Sequence, residues 1–356
     1  MKKGWTYAKA GVDRKKIRRA QRVIGDLLST TFKHRHERFG EVLTEIGHYA
    51  GLIDIGHGKA LAIHVDGCGT KVLVAQLMDK YDTVGIDVVA MCANDLICIG
   101  AEPLALVDYL AVQKPDERMI SEIMKGLVRG AELAGVAIVG GETAVMPSVI
   151  QGAVEGKGFD LAALSVGVVE QKRVITGKAM RPGDAIIGLE SSGIHSNGLT
   201  LARKVFFEQK NLSVHDTLPG LGRTLGEELL TPTRIYVKPV LEILKKVKVS
   251  ALAHITGGGF SKLKRFEEYA EVGFNIEIPK DQPIFCLIEK YGGISAEEMF
   301  QTFNMGIGFC VVVPKGNENQ VLQICKKHKL GATVIGEISR KKGVNIKTTK
   351  GELISF

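Results

Sequence analysis

No run of this chain reaches the ~18 consecutive apolar residues that a membrane-crossing helix requires, so a soluble chain is expected. The opening residues, Met1-Lys2-Lys3-Gly4-Trp5, lead into polar and basic sequence without an apolar segment, which argues against a secretory signal and for a cytoplasmic address. Cysteine is sparse and scattered: Cys68, Cys92, Cys98, Cys286, Cys310 and Cys325 never fall in a C-x-x-C pair and mostly sit inside apolar runs. Neither a zinc site nor a disulfide framework is supported, and buried reduced thiols are expected. Both common nucleotide signatures are missing as well. Without G-x-x-x-x-G-K-[ST], and without G-x-G-x-x-G after a strand, the P-loop and dinucleotide-binding Rossmann readings fall away. Low-complexity sequence and fixed-period repeats are also absent.

What is present is an ordinary globular composition, 45% hydrophobic and 24% charged, in a chain of 356 residues. That length exceeds what one core usually serves, so two domains are expected. The boundary falls near Lys172 to Pro182, where the apolar run Leu161 to Val169 gives way to charged, glycine-containing and proline-containing sequence, dividing the chain into 1–172 and 173–356. The net charge is +8, and Arg14, Lys15, Lys16, Arg18, Arg19, Arg22, Lys33, Arg35 and Arg38 concentrate much of it near the start. Such a stretch attracts nucleic acid or small phosphates, or simply forms a solvated helix face. Interleaved aromatics and a recognisable nucleic-acid module are lacking, so the solvated face is preferred and no nucleic-acid partner is expected.

Four times an apolar, strand-like run breaks into glycines and small polar groups. Ile63-His64-Val65 leads into Asp66, Ala137-Ile138-Val139 into Gly140 to Thr143, Ile186 to Leu189 into Ser191-Ser192-Gly193, and Leu252 to Ile255 into Thr256 to Gly259. Helical stretches are interleaved, around Met119 to Leu133 and Leu225 to Val247, giving a mixed α and β chain.

The most informative of these loops is Asp66-Gly67-Cys68-Gly69-Thr70-Lys71, where a glycine-rich turn holds a carboxylate and a lysine. Backbone N–H groups of Gly67 to Thr70 and of Gly257 to Gly259 are suited to anion-binding nests, with Lys71 as a point charge; each loop alone also reads as a plain tight turn. Between the first two loops, Asp82 to Gly100 is largely apolar. As a helix it places Asp87, Met91, Asn94 and Asp95 on one face, at i, i+4, i+7 and i+8. Carboxylates on so apolar a helix must meet water, a cation or a partner, unless the helix merely has a wet edge. Oxygen ligands from Asp66, Asp95 and Glu142 suit Mg²⁺, which binds a few carboxylates together with phosphate oxygens. An ATP-dependent enzyme is the leading reading.

These segments resemble a known family. Asp66-Gly-Cys-Gly-Thr-Lys71, Gly85-Ile-Asp-Val-Val-Ala-Met-Cys-Ala-Asn-Asp95, Gly100-Ala-Glu-Pro103, Gly140-Gly-Glu-Thr143, Ser191-Ser-Gly-Ile-His-Ser-Asn-Gly198, Pro232-Thr-Arg-Ile-Tyr-Val-Lys-Pro239, His254-Ile-Thr-Gly-Gly-Gly259 and Thr302-Phe-Asn-Met-Gly-Ile-Gly308 are similar to phosphoribosylformylglycinamidine cyclo-ligases, the aminoimidazole ribonucleotide synthetases of purine biosynthesis. The likeness runs in order from about Tyr7 to Ile338. It departs in Arg38 to Gly58, where family members commonly carry a dense glycine-rich segment, and at Cys68, where they usually carry valine.

The resemblance implies an α+β fold of two domains, with the N-terminal sheet pairing into a barrel in a homodimer and a C-terminal α/β domain closing the cleft. It implies ATP-dependent ring closure of formylglycinamidine ribonucleotide, with Mg²⁺ as cofactor. Asp66, Asp95 and Glu142 would be the metal ligands, with Asn94 as helper. Gly67, Gly69, Thr70, Lys71, Asp87, Asn94, Gly140, Gly141 and Thr143 would meet ATP. Ser192, Gly193, Ser196, Gly198, Thr256, Gly257, Gly258 and Gly259 would hold the ribose phosphate or the transferring phosphate. His195, Lys71 and Asn197 are the catalytic candidates, His195 for proton transfer or oxyanion stabilisation. His254 is expected to be a satisfied core residue, while Arg234 and Lys238 are suited either to clamping a phosphate or to pairing with a carboxylate across a domain junction. Related small-molecule kinases, of the thiamine-phosphate kinase or selenophosphate synthetase type, and a non-catalytic nucleotide-binding protein are the alternatives.

Overall fold

The computed structural model describes residues 4–356, so the first three residues of the polar N-terminal stretch lie outside the described part. The first half begins with helix α1 (Arg14–Ser29), then strands β1 (Gly51–Asp54) and β2 (Lys59–Gly67), helices α2 (Lys71–Met78) and α3 (Val84–Cys98), strand β3 (Glu102–Val112), helix α4 (Glu117–Ala134) and strands β4 (Ala137–Val145) and β5 (Phe159–Glu170). These strands form an open sheet in the order β1-β2-β5-β3-β4.

The second half starts with β6 (Ala185–Glu190), α5 (Leu199–Arg203), α6 (Leu225–Leu229), α7 (Val237–Lys246) and β7 (Ala251–His254). It continues through β8 (Gly273–Glu277), α8 (Pro283–Gly292), α9 (Ala296–Thr302), β9 (Ile307–Val313), α10 (Glu318–Lys327) and β10 to β12 (Ala332–Ser339, Gly343–Lys347 and Leu353–Ser355). Its seven strands run β12-β11-β8-β10-β6-β9-β7 and are antiparallel except for the β8–β11 pair.

Helix α3 is apolar on nearly every side and is accordingly buried almost end to end, the expected state for a helix without a polar face. It lies against α4 closely enough that a Cβ at Gly85 would stand 2.2 Å from the Leu127 nitrogen, so glycine is what permits that approach. Helix α4 is conventionally built, with Asp116 capping its start by accepting from the Met119 N–H at 3.0 Å and Gly135 ending it in the left-handed region. Helix α1 is different: capped by Asp13, it buries none of its residues.

Two expectations change. The stretch Leu225 to Val247 is two helices, because Pro232 lies in the extended segment between α6 and α7 and cannot continue a helix. Gly140 to Thr143 is not a loop either, since β4 runs straight through it to Val145. Strand pairing holds these glycines extended: Val107 pairs with Gly140 and Asp108 with Gly141. A Cβ at Gly141 would lie 2.2 Å from the Asp108 carboxylate, so the residue opposite Asp108 has to be small.

Candidate active site

Helix α3 forms the seam between the two halves, and the face predicted from sequence is the one it presents. Asp87 is fully buried, and its Oδ1 accepts from the Thr233 N–H at 2.7 Å, the Thr233 hydroxyl at 2.6 Å and the Ser196 hydroxyl at 3.3 Å. Asn94 donates to the Arg234 carbonyl at 2.9 Å and accepts from the Tyr236 N–H at 2.9 Å. Asn94 and the Asp87 Oδ1 are thus met by the Pro232–Tyr236 segment and Ser196, while the Asp87 Oδ2 is buried without a hydrogen-bond partner among the described residues.

Lys71 and Asp87, both expected near the nucleotide, are paired with each other across this seam. Lys71 opens α2 with its side chain turned inward, and its buried ammonium lies 2.8 Å from Asp87 and donates to the Thr231 carbonyl at 2.5 Å. A buried ammonium must be paired, and Asp87 pairs it, so neither group faces open space as a phosphate or nucleotide contact would. Asn94, likewise expected at the nucleotide, spends its side chain on the seam.

About two turns beyond Asp87 on α3, Asp95 is surrounded by basic side chains. His254 on β7 lies 2.7 Å away through Nδ1, and His64 on β2 approaches at 3.6 Å. The His254 Nε2 receives an N–H of Asn94 at 3.4 Å, which leaves the imidazole proton on Nδ1, facing Asp95. Burial alone would raise the Asp95 carboxyl, but the His254 hydrogen bond, together with Lys262 and His64 nearby, holds it well below the usual carboxylate range. Asp66, two residues past His64 on the same face of β2, is pushed up by burial and by the neighbouring negative charge of Asp95.

Glu142 is not part of that group. Register runs Asp66 to Ala163 to Asp108 to Gly141 across four adjacent strands, so Glu142 lies one residue off this row, paired with Tyr109 on the opposite face. Three strand spacings, roughly 14 Å, also separate it from Asp66. Among the described residues no group of three or more His, Cys, Asp or Glu side chains is placed to hold a metal. The expected trio therefore reduces, within one chain, to Asp66 and Asp95. Gly140, Gly141 and Thr143 lie exposed with Glu142 on edge strand β4.

The other three loops do converge. Thr70 and Thr200 share a hydrogen bond at 3.0 Å, which ties the first loop to the helix that follows Gly198. A Cβ on Gly257 would lie 3.1 Å from the Asn197 amide, so the third and fourth loops abut. His195 is buried at a φ of 68°, a backbone region few non-glycine residues adopt and one that clusters at functional positions. Its Nε2 accepts from the Ser192 N–H at 3.1 Å, and burial pushes the imidazole well down. The ring is thus neutral with its proton on Nδ1, which has no partner among the described residues. A neutral N–H of this kind suits hydrogen bonding to an oxyanion better than it suits general-base work.

Sequence reasoning missed His64, Lys262 and Arg265, whereas His254 is the satisfied core residue expected, fully buried with Asp95 and Asn94 as partners. The His64 signal was available, since period-two alternation puts it on the same face as Asp66. Lys238, left unassigned between phosphate and carboxylate, donates instead to the Glu132 carbonyl across the junction at 2.9 Å.

An open five-stranded sheet joined through one buried helix to a seven-stranded mixed sheet, with glycine loops meeting at the seam, is an AIR synthase related architecture. Residues 47–169 match the family model described as the AIR synthase related protein N-terminal domain, and 181–348 match the C-terminal domain. The chain belongs to the phosphoribosylformylglycinamidine cyclo-ligase family: it is 51% identical over 341 residues to the protein of that name from Thermococcus kodakarensis, covering 96% of this chain and 97% of its relative. Among solved structures, thiamine-monophosphate kinase from Stenotrophomonas maltophilia has a TM-score of 0.60 at 19% identity, covering 91% of this chain and 96% of its own. T. maritima PurL complexed with ATP has a TM-score of 0.57 at 17% identity, covering 86% of this chain and 44% of its own. These two share the fold, whereas the cyclo-ligase shares the sequence, so the kinase alternative is not favoured.

Proposed function

We infer that the chain closes the imidazole ring of 5-aminoimidazole ribonucleotide from formylglycinamidine ribonucleotide, with ATP converted to ADP and phosphate. The observation that carries this reading is 51% identity over nearly the full length to a named cyclo-ligase, joined to three glycine loops that meet one another, the first of which opens at Asp66. ATP as co-substrate is supported by the ATP complex of a protein with the same fold.

The chemistry needs a leaving group. The formyl amide oxygen attacks the γ-phosphorus of ATP and ADP departs; the substrate's own nitrogen then attacks the activated carbon, and phosphate leaves as the ring closes with loss of a proton. Because the nucleophile belongs to the same molecule, orientation alone contributes roughly 7 to 11 kcal/mol, which leaves the protein to position groups and stabilise charge. The neutral Nδ1–H of His195, with Asn197 beside it, is suited to hydrogen-bond oxygen as charge develops. Ser192, Gly193, Ser196, Gly198 and Thr256 to Gly259 form the walls we assign to phosphate groups. Asp66 and Asp95 fit Mg²⁺, a hard cation held by one or two carboxylates plus phosphate oxygens, and bound there it would neutralise phosphate charge.

Incubation of the purified chain with formylglycinamidine ribonucleotide, ATP and Mg²⁺ should yield equal amounts of aminoimidazole ribonucleotide and ADP. ATP consumption without imidazole product would reject the reading.

We place the domain boundary near Lys172 and the site of action in the cytoplasm; no described helix is long and apolar enough to cross a membrane. We also infer a homodimer, supported by the first sheet's outer face, where Val65, Leu164, Val107, Tyr109 and Val139 are all exposed. So continuous an apolar face favours cover by a second copy, the pairing expected of the family. Leu164→Glu is then expected to shift sedimentation from dimer to monomer, and a wild-type chain that sediments as a monomer would overturn the dimer.

A further inference from the structure

Residues Arg38 to Gly58 pass beside a cavity of about 580 Å³ whose walls include Gly47, Asn197, Gly257, Gly258, Lys262 and Arg265. Helix α1 closes its other side with Arg14 and Arg18, so the cavity is strongly cationic. Lys262 connects it to the acidic centre, because its ammonium donates to the Thr256 hydroxyl and feels the charges of both Asp95 and Asp66.

This segment contributes an aromatic group under this wall. Tyr49 is almost wholly buried, with the Arg265 guanidinium 4.0 Å above its ring and the Lys262 ammonium at 5.8 Å. His48 packs edge-on against Tyr49 and Tyr269, at 5.7 and 5.3 Å between ring centroids, which fixes the segment against the 3-10 helix Gly259–Glu268. Burial and the charge of Arg265 push the His48 imidazole down to about 4, so it is neutral beside the cations. The Arg265 Nε is buried without a hydrogen-bond partner among the described residues. A guanidinium held flat on a ring, with an N–H unspent, is preorganised to receive an anion.

We propose that Tyr49 is a positioning residue: its ring orients Arg265 and Lys262 so that, with the Gly257 and Gly258 backbone, they receive the phosphomonoester of the ribonucleotide substrate. The proposal rests on the ribonucleotide reading above. Loss of the ring frees two long side chains that must then be ordered at each binding event.

The test combines steady-state kinetics of the full-length enzyme with calorimetric titration by ribose 5-phosphate, which needs no turnover. Tyr49→Leu should raise KM for the ribonucleotide about 10-fold, leave KM for ATP within about 2-fold, and weaken ribose 5-phosphate binding in proportion. Tyr49→Phe, which keeps the ring, should behave as wild type in all three. Should Tyr49→Leu not fold, Arg265→Gln must weaken ribose 5-phosphate binding to a similar degree. Unchanged binding in the folded variant, or equal losses in KM for both substrates, would overturn the proposal. If the wild-type chain fails to close the ring yet binds ribose 5-phosphate through Tyr49 and Arg265, the reaction is at fault and the subsite stands.

Discussion

Asp95→Asn is expected to lower aminoimidazole ribonucleotide formation by about 100-fold or more at saturating ATP, with the fold intact. The fold should survive because the His254 Nδ1–H, 2.7 Å from Asp95, finds an acceptor in the asparagine carbonyl as it does in the carboxylate. What is lost is the negative charge, which His254, Lys262 and His64 otherwise stabilise and which, with Asp66, we propose as the Mg²⁺ ligand set. Steady-state rates at several Mg²⁺ concentrations, with circular dichroism as the folding control, separate the two effects. Turnover within about 2-fold of wild type would remove Asp95 from the site.

How much of this was legible beforehand depended on the range of the interaction. The α3 face of Asp87, Met91, Asn94 and Asp95 follows from helical period alone, and period two places His64 with Asp66. The partners of those residues did not follow. Asp95 meets a histidine 159 residues away and Asp87 a threonine 146 residues away, contacts decided by how the two sheets dock. The placement of Glu142 was out of reach for a related reason: Gly140 to Thr143 read as a loop, but pairing with β3 holds this stretch extended and sets Glu142 on the face opposite Asp66. The glycine at 141 answers to the Asp108 side chain opposite it, a cross-strand constraint that no local pattern carries. Tyr49 was hidden differently, since its two cations come from a 3-10 helix more than 200 residues later.

Lys71→Met should cost about 3–5 kcal/mol of stability and lower the melting temperature by on the order of 10 °C. The lysine is the only cation within hydrogen-bonding distance of Asp87 among the described contacts; its removal leaves a fully buried carboxylate facing two hydroxyls and one backbone N–H. Adding Asp87→Asn to that variant should restore more than half of the loss, because an amide oxygen still accepts from Thr233 and Ser196 and no charge is left buried. Urea titrations of wild type, both single variants and the double variant measure the coupling directly. Catalysis then discriminates between the two roles this lysine was given. If it locks α2 to the seam, kcat of the folded Lys71→Met enzyme, assayed well below its lowered midpoint, should stay within about 10-fold of wild type. A lysine serving as a phosphate ligand would do the reverse, sparing stability and raising KM for ATP, and that outcome would return Lys71 to the nucleotide.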